Sequence, residues 1–353
     1  MILPAVAPIL LVVLACGLDR LLGDPRSWLH PVMVMGWLIA RLRGWAEAWA
    51  GDEPWRLRLA GLAITLLLVG GSALAGWGVE RLAIHGATSG FGAAALPLLI
   101  GLASALAGRS LEQAVAAVLA ALAAADLPLA RQRLSWIVGR DTDGLESSEI
   151  LRAAAETASE NAVDGLFAPL FWMLVGAGLW SLGAFAWPGP LAWAWAFKAA
   201  STLDSMLGYR RGRLRWLGTA GARLDDLLVW LPCRLVALSL PLVAGARPAQ
   251  AWQQFQQARA DARSDPSPNA GLSQAAYAHA LGVQLGGANR YGGVIRHKPL
   301  LAAGCPPPSA AAVQGMLRLS ARLELLWLVL AAAVAVVVAL VVAVAGGVPV
   351  VRL

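Results

Sequence analysis

Long apolar runs separated by short polar islands dominate this chain. About twenty predominantly apolar residues in a helix cross a hydrocarbon core roughly 30 Å thick. Four stretches satisfy that rule outright: 2–18, 57–79, 166–187 and 325–345. Two more are shorter or interrupted, 93–107 and 227–245, the second carrying Pro232, Arg234 and Pro241. The pattern predicts an all-α, polytopic integral membrane protein of about five or six transmembrane helices, with amphipathic and interfacial helices in large cytoplasmic loops.

The islands carry their own signals. In "DRLLGDPRSWLHPVMVMG" the Gly-Asp-Pro and His-Pro pairs stop one helix and start a turn; a short interfacial helix is expected to follow through Trp37, Arg41 and Trp45. Residues 111–125 are Ala-rich with a helical pattern. "RQRLSWIVGRDTD" breaks at Gly139, and from Ser147, which with Ser148 supplies a capping hydroxyl, a helix is expected to run to about Val163. The Pro188-Gly189-Pro190 turn should reverse the chain into a segment that begins apolar and turns polar at Lys198, with Lys198, Ser201, Thr202 and Ser205 on one helical face. No internal repeat is present, which disfavours a two-halves transporter architecture.

Composition sharpens this reading. Apolar residues make up 58% of the 353 and charged residues 14%, against about 25% charged in an ordinary soluble domain, too little polar surface for a soluble chain of this size. The net charge of +7 is carried mainly by Arg. Segments 19–56, 108–165 and 247–324 are rich in Arg, whereas 80–92 holds only Arg81. The positive-inside rule then places those segments in the cytoplasm of a multi-pass protein of the bacterial inner membrane. The 2–18 run lacks the preceding basic residue of a signal peptide and reads as a retained helix. Basic residues are dispersed among acids without an aromatic ladder, so nucleic-acid binding is not expected. Cys16, Cys233 and Cys305 show no metal or redox spacing. One membrane-embedded catalytic domain over 1–353 is expected, with 108–165 and 247–324 forming its site at the cytoplasmic face.

Candidate chemistry concentrates in the islands. Glu149, Glu156, Glu160 and Asp164 fall near one helical stripe with Arg152 among them, immediately before the apolar run at 166. Like charges four apart on a helix oppose each other by a few tenths of a kcal/mol, and an unpaired carboxylate near lipid costs far more. Three further clusters pair cations with acids: Arg140, Asp141 and Asp143; Lys198, Thr202 and Asp204; Arg223, Asp225, Asp226 and Arg234. Carboxylates with Arg and Lys, without a His or Cys constellation, point to phosphoryl chemistry, in which hard oxygen ligands suit Mg²⁺ and cations neutralise phosphoryl oxygens. The Gly-rich stretch "LGVQLGGANRYGGVIRHKP" is either a backbone phosphate cradle around Gly286, Gly287, Asn289 and Arg290 or a tight turn. It is not a Walker A sequence.

These islands together resemble the adenosylcobinamide-phosphate synthases of cobalamin biosynthesis, the CobD/CbiB family. The resemblance rests on "LDRLLGDPRSWLHPVMVMG", "LAGRSL", "RLSWIVGRDTDGL", "ETASENAVDGLFAPLF", "FKAASTLDSMLGY", "ARLDDLLVWLPCRL", and "SPNAG" with "ALGVQLGGANRYGG", in the family's order over most of 15–295. It implies an integral membrane ligase that uses ATP to join the free carboxylate of adenosylcobyric acid to (R)-1-aminopropan-2-ol or its phosphate, with other enzymes of the pathway as potential neighbours. On the matched positions, the resemblance implies Asp141, Glu156, Glu160 and Asp164 as ligands of Mg²⁺ and nucleotide. Arg140, Lys198 and Arg223 would clamp phosphates or the corrin carboxylate. Asp204, Asp225 or Asp226 would take the proton of the attacking ammonium, and Asp24 and His30 would shape the substrate entrance. Two positions depart from the family pattern: Asp265 stands where a His commonly precedes Ser-Pro-Asn, and Gln274 where a Glu is common.

Two rivals are weaker. "DGLFAP" is similar to the Asp-Gly-x-x-Ala-Arg of CDP-alcohol phosphotransferases, but Pro169 replaces the Arg and no second Asp pair follows. A corrinoid transporter would line a path with intramembrane charges such as Arg234, whereas the polar islands lie mainly in loops and helix ends.

Overall fold

The computed structural model describes residues 2–23, 30–88 and 95–345. Asp24 therefore lies outside the described residues. The elements, in chain order, are α1 (Ile2–Leu22), α2 (Pro31–Ala50), α3 (Pro54–Thr88), α4 (Ala95–Ala103), α5 (Gly108–Ala123), α6 (Leu127–Ser135) and α7 (Ser147–Ala162). A π-helical segment (Val163–Phe167) joins α7 to α8 (Ala168–Ser181). Then come α9 (Pro190–Leu207), α10 (Leu214–Leu217), α11 (Thr219–Val243), α12 (Pro248–Asp261), α13 (Ala270–Leu281), the hairpin β1 (Leu285–Tyr291) and β2 (Val294–Leu301), and α14 (Ala310–Ala345).

Among the described residues, five helices are long and apolar enough to cross a membrane: Pro54–Gly86, Ala95–Ala123, Ser147–Ser181, Thr219–Val243 and Ala310–Val341. The protein is an all-α polytopic membrane protein carrying one small antiparallel sheet. Large apolar side chains on α3 and α14, such as Leu66, Leu74, Val334 and Val337, are more than half exposed. A continuous face of that kind is tolerable only against lipid or another apolar partner. The cysteines form no disulfide among the described residues.

The chain divides into two compact units rather than one undivided body. The first comprises 1–107, 168–228 and 326–353, the second 108–167 and 229–325. Both polar regions singled out in the sequence, 108–165 and 247–324, fall in the second.

In the first unit α9 packs on α2, α3, α4 and α8. Close approach is achieved with glycine, as is usual for helices in lipid. A Cβ at Gly76 would come within 2.9 Å of the Ala192 backbone, and one at Gly176 within 2.5 Å of Gly189. The core between α2, α3 and α9 includes Met35, Ile39, Ile64 and Leu203. The α9 N-terminus is held by Glu80, a fully buried residue. Its carboxylate accepts the N–H groups of Gly189 (2.8 Å), Leu191 (2.7 Å) and Ala192 (3.1 Å). These are the amides a helix start leaves unbonded, and a carboxylate there also meets the positive end of the helix dipole. The apolar pattern ends the helix before Glu80, but α3 continues to Thr88.

A helix forms where the Trp37, Arg41 and Trp45 pattern predicted one, α2. Trp37, Trp45 and Trp49 are more than half exposed, and the Arg41 guanidinium lies 5.2 Å from the Trp37 ring and 5.9 Å from that of Trp45. His30, expected at a substrate entrance, is the N-cap of α2: its Nδ1 accepts the Val32 N–H at 3.3 Å.

In the second unit α7 presents a stripe of small, fully buried residues, Ala153, Ala154, Ala155, Ala158 and Ala162, against α5, α6 and α13. Its start differs from expectation. Glu146, not a serine, is the N-cap, and Glu149 three residues on accepts the Glu146 N–H at 3.0 Å, the reciprocal half of a capping box. The Gly-rich stretch forms the hairpin. Gly292 and Gly293 both take positive φ (57° and 81°), as a two-residue type I′ turn requires, and Tyr291 pairs with Val294.

Candidate functional site

The acid stripe of α7 and the π segment organises the second unit. Glu156 is 1% exposed. One of its oxygens accepts from Arg140 Nη2. The other accepts from Arg152 Nη1 at 3.1 Å and from the Gly286 N–H at 2.9 Å. Arg140 and Arg152 also converge on Asn289 Oδ1, at 2.6 and 2.9 Å. Arg152 further donates to the carbonyls of Gly286 and Ala288, both at 2.8 Å. The network joins the loop after Gly139, helix α7 and strand β1, with two guanidiniums sharing one carboxylate and one amide oxygen.

Asp141 makes the neighbouring attachment. Its oxygens accept the N–H groups of Gly292 (2.9 Å) and Gly293 (2.8 Å), while its own N–H bonds to the Arg290 carbonyl at 2.8 Å. Those two amides, helped by the Arg290 charge, hold the Asp141 carboxyl below the usual aspartate value. The Gly-Gly turn is thus an anion nest, but the anion is this chain's own aspartate. Gly286 likewise spends its N–H on Glu156, and a Cβ there would stand 1.9 Å from the Pro299 carbonyl. The phosphate cradle expected of Gly286, Gly287, Asn289 and Arg290 is replaced by a hairpin clamp. Exposed Arg290 lines a hollow of about 200 Å³ with Asp143 and Glu149.

One turn further on, Glu160 accepts from Gln274 Nε2 at 2.7 Å, and the Ser273 hydroxyl donates to the Ser159 carbonyl at 2.5 Å. Lys298 of β2 sits in the same field. Burial opposes its charge, but Glu160 and Asp265, backed by Tyr291 and Glu156, outweigh that and hold it above the ordinary lysine value. Asp164 falls in the π-helical segment, a local widening that recurs at functional sites.

Among the described residues no group of three or more His, Cys, Asp or Glu is arranged to hold a metal. The four-carboxylate Mg²⁺ site expected of Asp141, Glu156, Glu160 and Asp164 does not assemble. Glu156 is neutralised by two guanidiniums, Asp141 by backbone amides, and Glu160 is engaged by Gln274. The acids found cations and amides within their own unit instead of one another.

The first unit holds a separate cluster. Lys198 and Asp204 come from α9, and Asp225 and Asp226 from the start of α11. Asp204, Asp226 and Lys198 all act electrostatically on Asp225, and Arg210 acts on Asp226. Asp225 Oδ1 is buried with no hydrogen-bond partner among the described residues. Gly208 makes room for this cluster, because a Cβ there would lie 2.0 Å from Asp204 Oδ1. Arg223 is exposed on α11. The structure therefore brings together the four residues expected to handle the proton and the activated carboxylate.

A family model described as CobD/CbiB protein matches residues 12–320. The chain belongs to the CobD/CbiB family. This CobD/CbiB chain is 43% identical over 327 residues to the cobalamin biosynthesis protein CobD of Synechocystis sp., covering 92% of the chain and 91% of that relative. It is 40% identical over 330 residues to CobD of Chromobacterium violaceum, covering 92% and 96%, and 39% identical over 289 residues to CbiB of Salmonella typhimurium, covering 81% and 84%. No solved structure matches it.

Several participants escaped the sequence reading. Gln274 and Asp265 stand out in the sequence only as departures from the family pattern, and Lys298 only as a charge at the end of the Gly-rich stretch.

Proposed function

We propose that this CobD/CbiB chain is a membrane enzyme of cobalamin biosynthesis, an adenosylcobinamide-phosphate synthase that spends ATP to join adenosylcobyric acid to (R)-1-aminopropan-2-ol or its O-phosphate. Family membership across residues 12–320 carries the reading. The grouping of Lys198 with Asp204, Asp225 and Asp226 supports it chemically.

A carboxylate does not accept an amine until one of its oxygens becomes a leaving group. Transfer of a phosphoryl or adenylyl group from ATP to the corrinoid carboxylate makes that leaving group. The amine then attacks the acyl carbon, the carbon–oxygen bond to the phosphate breaks, and the ammonium proton must go to a base. Within the first unit, Lys198 supplies a fixed positive charge for the anionic carboxylate or departing phosphate. The three aspartates supply oxygens to receive the proton, Asp225 having a buried oxygen with no other hydrogen-bond partner. General-base assistance of this kind contributes about 10²- to 10⁴-fold. No step is assigned to Mg²⁺, because Glu156 is engaged by two guanidiniums and Asp141 by two backbone amides.

The test is reconstitution. Protein purified in lipid nanodiscs, given adenosylcobyric acid, Mg-ATP and aminopropanol phosphate, should yield the amide, detected by its mass. No amide under these conditions, with the protein folded, would overturn the assignment.

A further inference from the structure

Segments 41–58 and 208–217 meet at one end of the first unit. There α10 lies on the start of α3, close enough that a Cβ at Gly61 would stand 2.0 Å from the Leu217 carbonyl oxygen. Arg213 reaches the turn between α2 and α3, where its Nε donates to Asp52 at 2.7 Å. The two segments carry eight arginines and three acids. Two of those acids are already engaged, Asp52 by Arg213 and Glu47 by Arg43, both at 2.7 Å. The remaining positive charge opposes itself unless anions from outside meet it.

Trp216 concentrates that excess. The Arg58 guanidinium lies 4.4 Å from its ring and the Arg215 guanidinium 4.8 Å. The ring attracts each cation but brings no counter-charge, and neither arginine has a hydrogen bond or an ion pair among the described residues. The fold gains nothing from a second cation on the same ring that one would not supply.

The surroundings identify the anion. Trp55 and Arg56 begin a helical stripe that continues through Leu59, Leu62 and Leu66, which are 52%, 46% and 65% exposed. An apolar face of that kind suits lipid, so the arginines at the start of α3 stand where the hydrocarbon ends. Trp45, Trp49, Trp55 and Tyr209, of the same two segments, are each about half exposed or more. Exposed tryptophan and tyrosine concentrate at the membrane–water interface, whereas a soluble polyanion has no use for them.

We infer that this end of the first unit binds the phosphate of an anionic phospholipid, with Arg58 and Arg215 gripping it and exposed Arg56 and Arg211 adding charge. Guanidinium forks match phosphate oxygens, and each basic side chain near an anionic bilayer strengthens the attraction. The inference does not depend on which reaction the protein catalyses.

The experiment uses the full chain in neutral detergent, with phosphatidylglycerol and phosphatidylcholine of identical acyl chains added in equal amounts. Native mass spectrometry then counts the lipids retained. Wild type should retain phosphatidylglycerol in preference, and Arg58→Gln/Arg215→Gln should lower that preference about tenfold or more. Arg58→Lys/Arg215→Lys, which keeps the charge but loses the forks, should fall between the two. Arg247→Gln/Arg296→Gln, which removes two exposed charges from the second unit, should behave as wild type. Every replaced side chain is exposed, so circular dichroism should show all variants folded. No preference in wild type, an equal preference in wild type and Arg58→Gln/Arg215→Gln, or the same loss in the second-unit control would overturn the inference. Displacement of the retained phosphatidylglycerol by glycerol phosphate would overturn it too, because the site would then serve a soluble anion.

Discussion

Replacing Glu156 with Gln tests whether the carboxylate is a strut or a ligand. Its side chain is 1% exposed and lies between Arg140 and Arg152, which are 9% and 18% exposed. Glu156→Gln keeps the shape but leaves two guanidiniums around a neutral amide, whose NH₂ faces donors on one side. Removing one member of a buried ion network costs about 3–5 kcal/mol. Because both arginines retain some access to water, the lower end, about 3 kcal/mol, applies. For a unit of this size each kcal/mol moves Tm by roughly 2–4 °C, so a fall of about 6–12 °C is expected. Hydrogen exchange should quicken in β1 and β2, which the network attaches to α7. Asp52→Asn is the control: its carboxylate, paired with Arg213 at 2.7 Å, is 85% exposed, and such surface pairs contribute little to stability. A Glu156→Gln protein melting within about 2 °C of wild type, with unchanged exchange in the hairpin, would refute the strut and return Glu156 to the pool of ligand residues.

Three further outcomes follow from the same geometry. Asp141→Asn should loosen the hairpin turn. Since the Asp141 pKa is lowered by folding, its contribution is complete above about pH 4 and lost as pH falls through the folded value, so wild-type exchange at Gly292 and Gly293 should rise in acid while the variant shows no such step. Lys298 has the opposite sign, its contribution persisting through neutral pH and fading only above about pH 10. Asp225→Asn or Lys198→Gln should reduce turnover about 10²- to 10⁴-fold with normal membrane insertion; near-normal rates in amide-formation assays would remove that cluster from the chemistry. Glu80→Ala strands three buried amides at the start of α9 and should cost at least about 3 kcal/mol, seen as lost thermal resistance, whereas an unchanged melt would show that those amides find other partners.

Much of the helical plan was legible because it depends on local signals. Apolar length announced the membrane helices, and the Gly292-Gly293 pair announced a turn. What failed to show were partners chosen by tertiary structure. Glu80 reads as a loop acid until α9 arrives to offer its amides. Asp141 reads as a metal ligand until the hairpin turn fills its oxygens. The ladder of Glu156, Glu160 and Asp164 was real as a helical stripe, but spacing along one helix says nothing about which cations or amides the opposing elements bring. The π segment at Val163–Phe167 carries no propensity signal, since it arises from how α7 continues into α8. The carboxylates around Asp225 were visible in two separate motifs, "KAASTLDS" and "ARLDD", and packing of α9 with the start of α11 made them one cluster.

Isotope transfer from the corrinoid tests the central claim, that the acid is activated by ATP before the amine attacks. Adenosylcobyric acid labelled with ¹⁸O in its free carboxylate is incubated with the protein, Mg-ATP and aminopropanol phosphate. The nucleotide and phosphate products are then weighed by mass spectrometry. One ¹⁸O atom per amide formed should appear in inorganic phosphate or in AMP; amide formed with no label in either product would contradict the account.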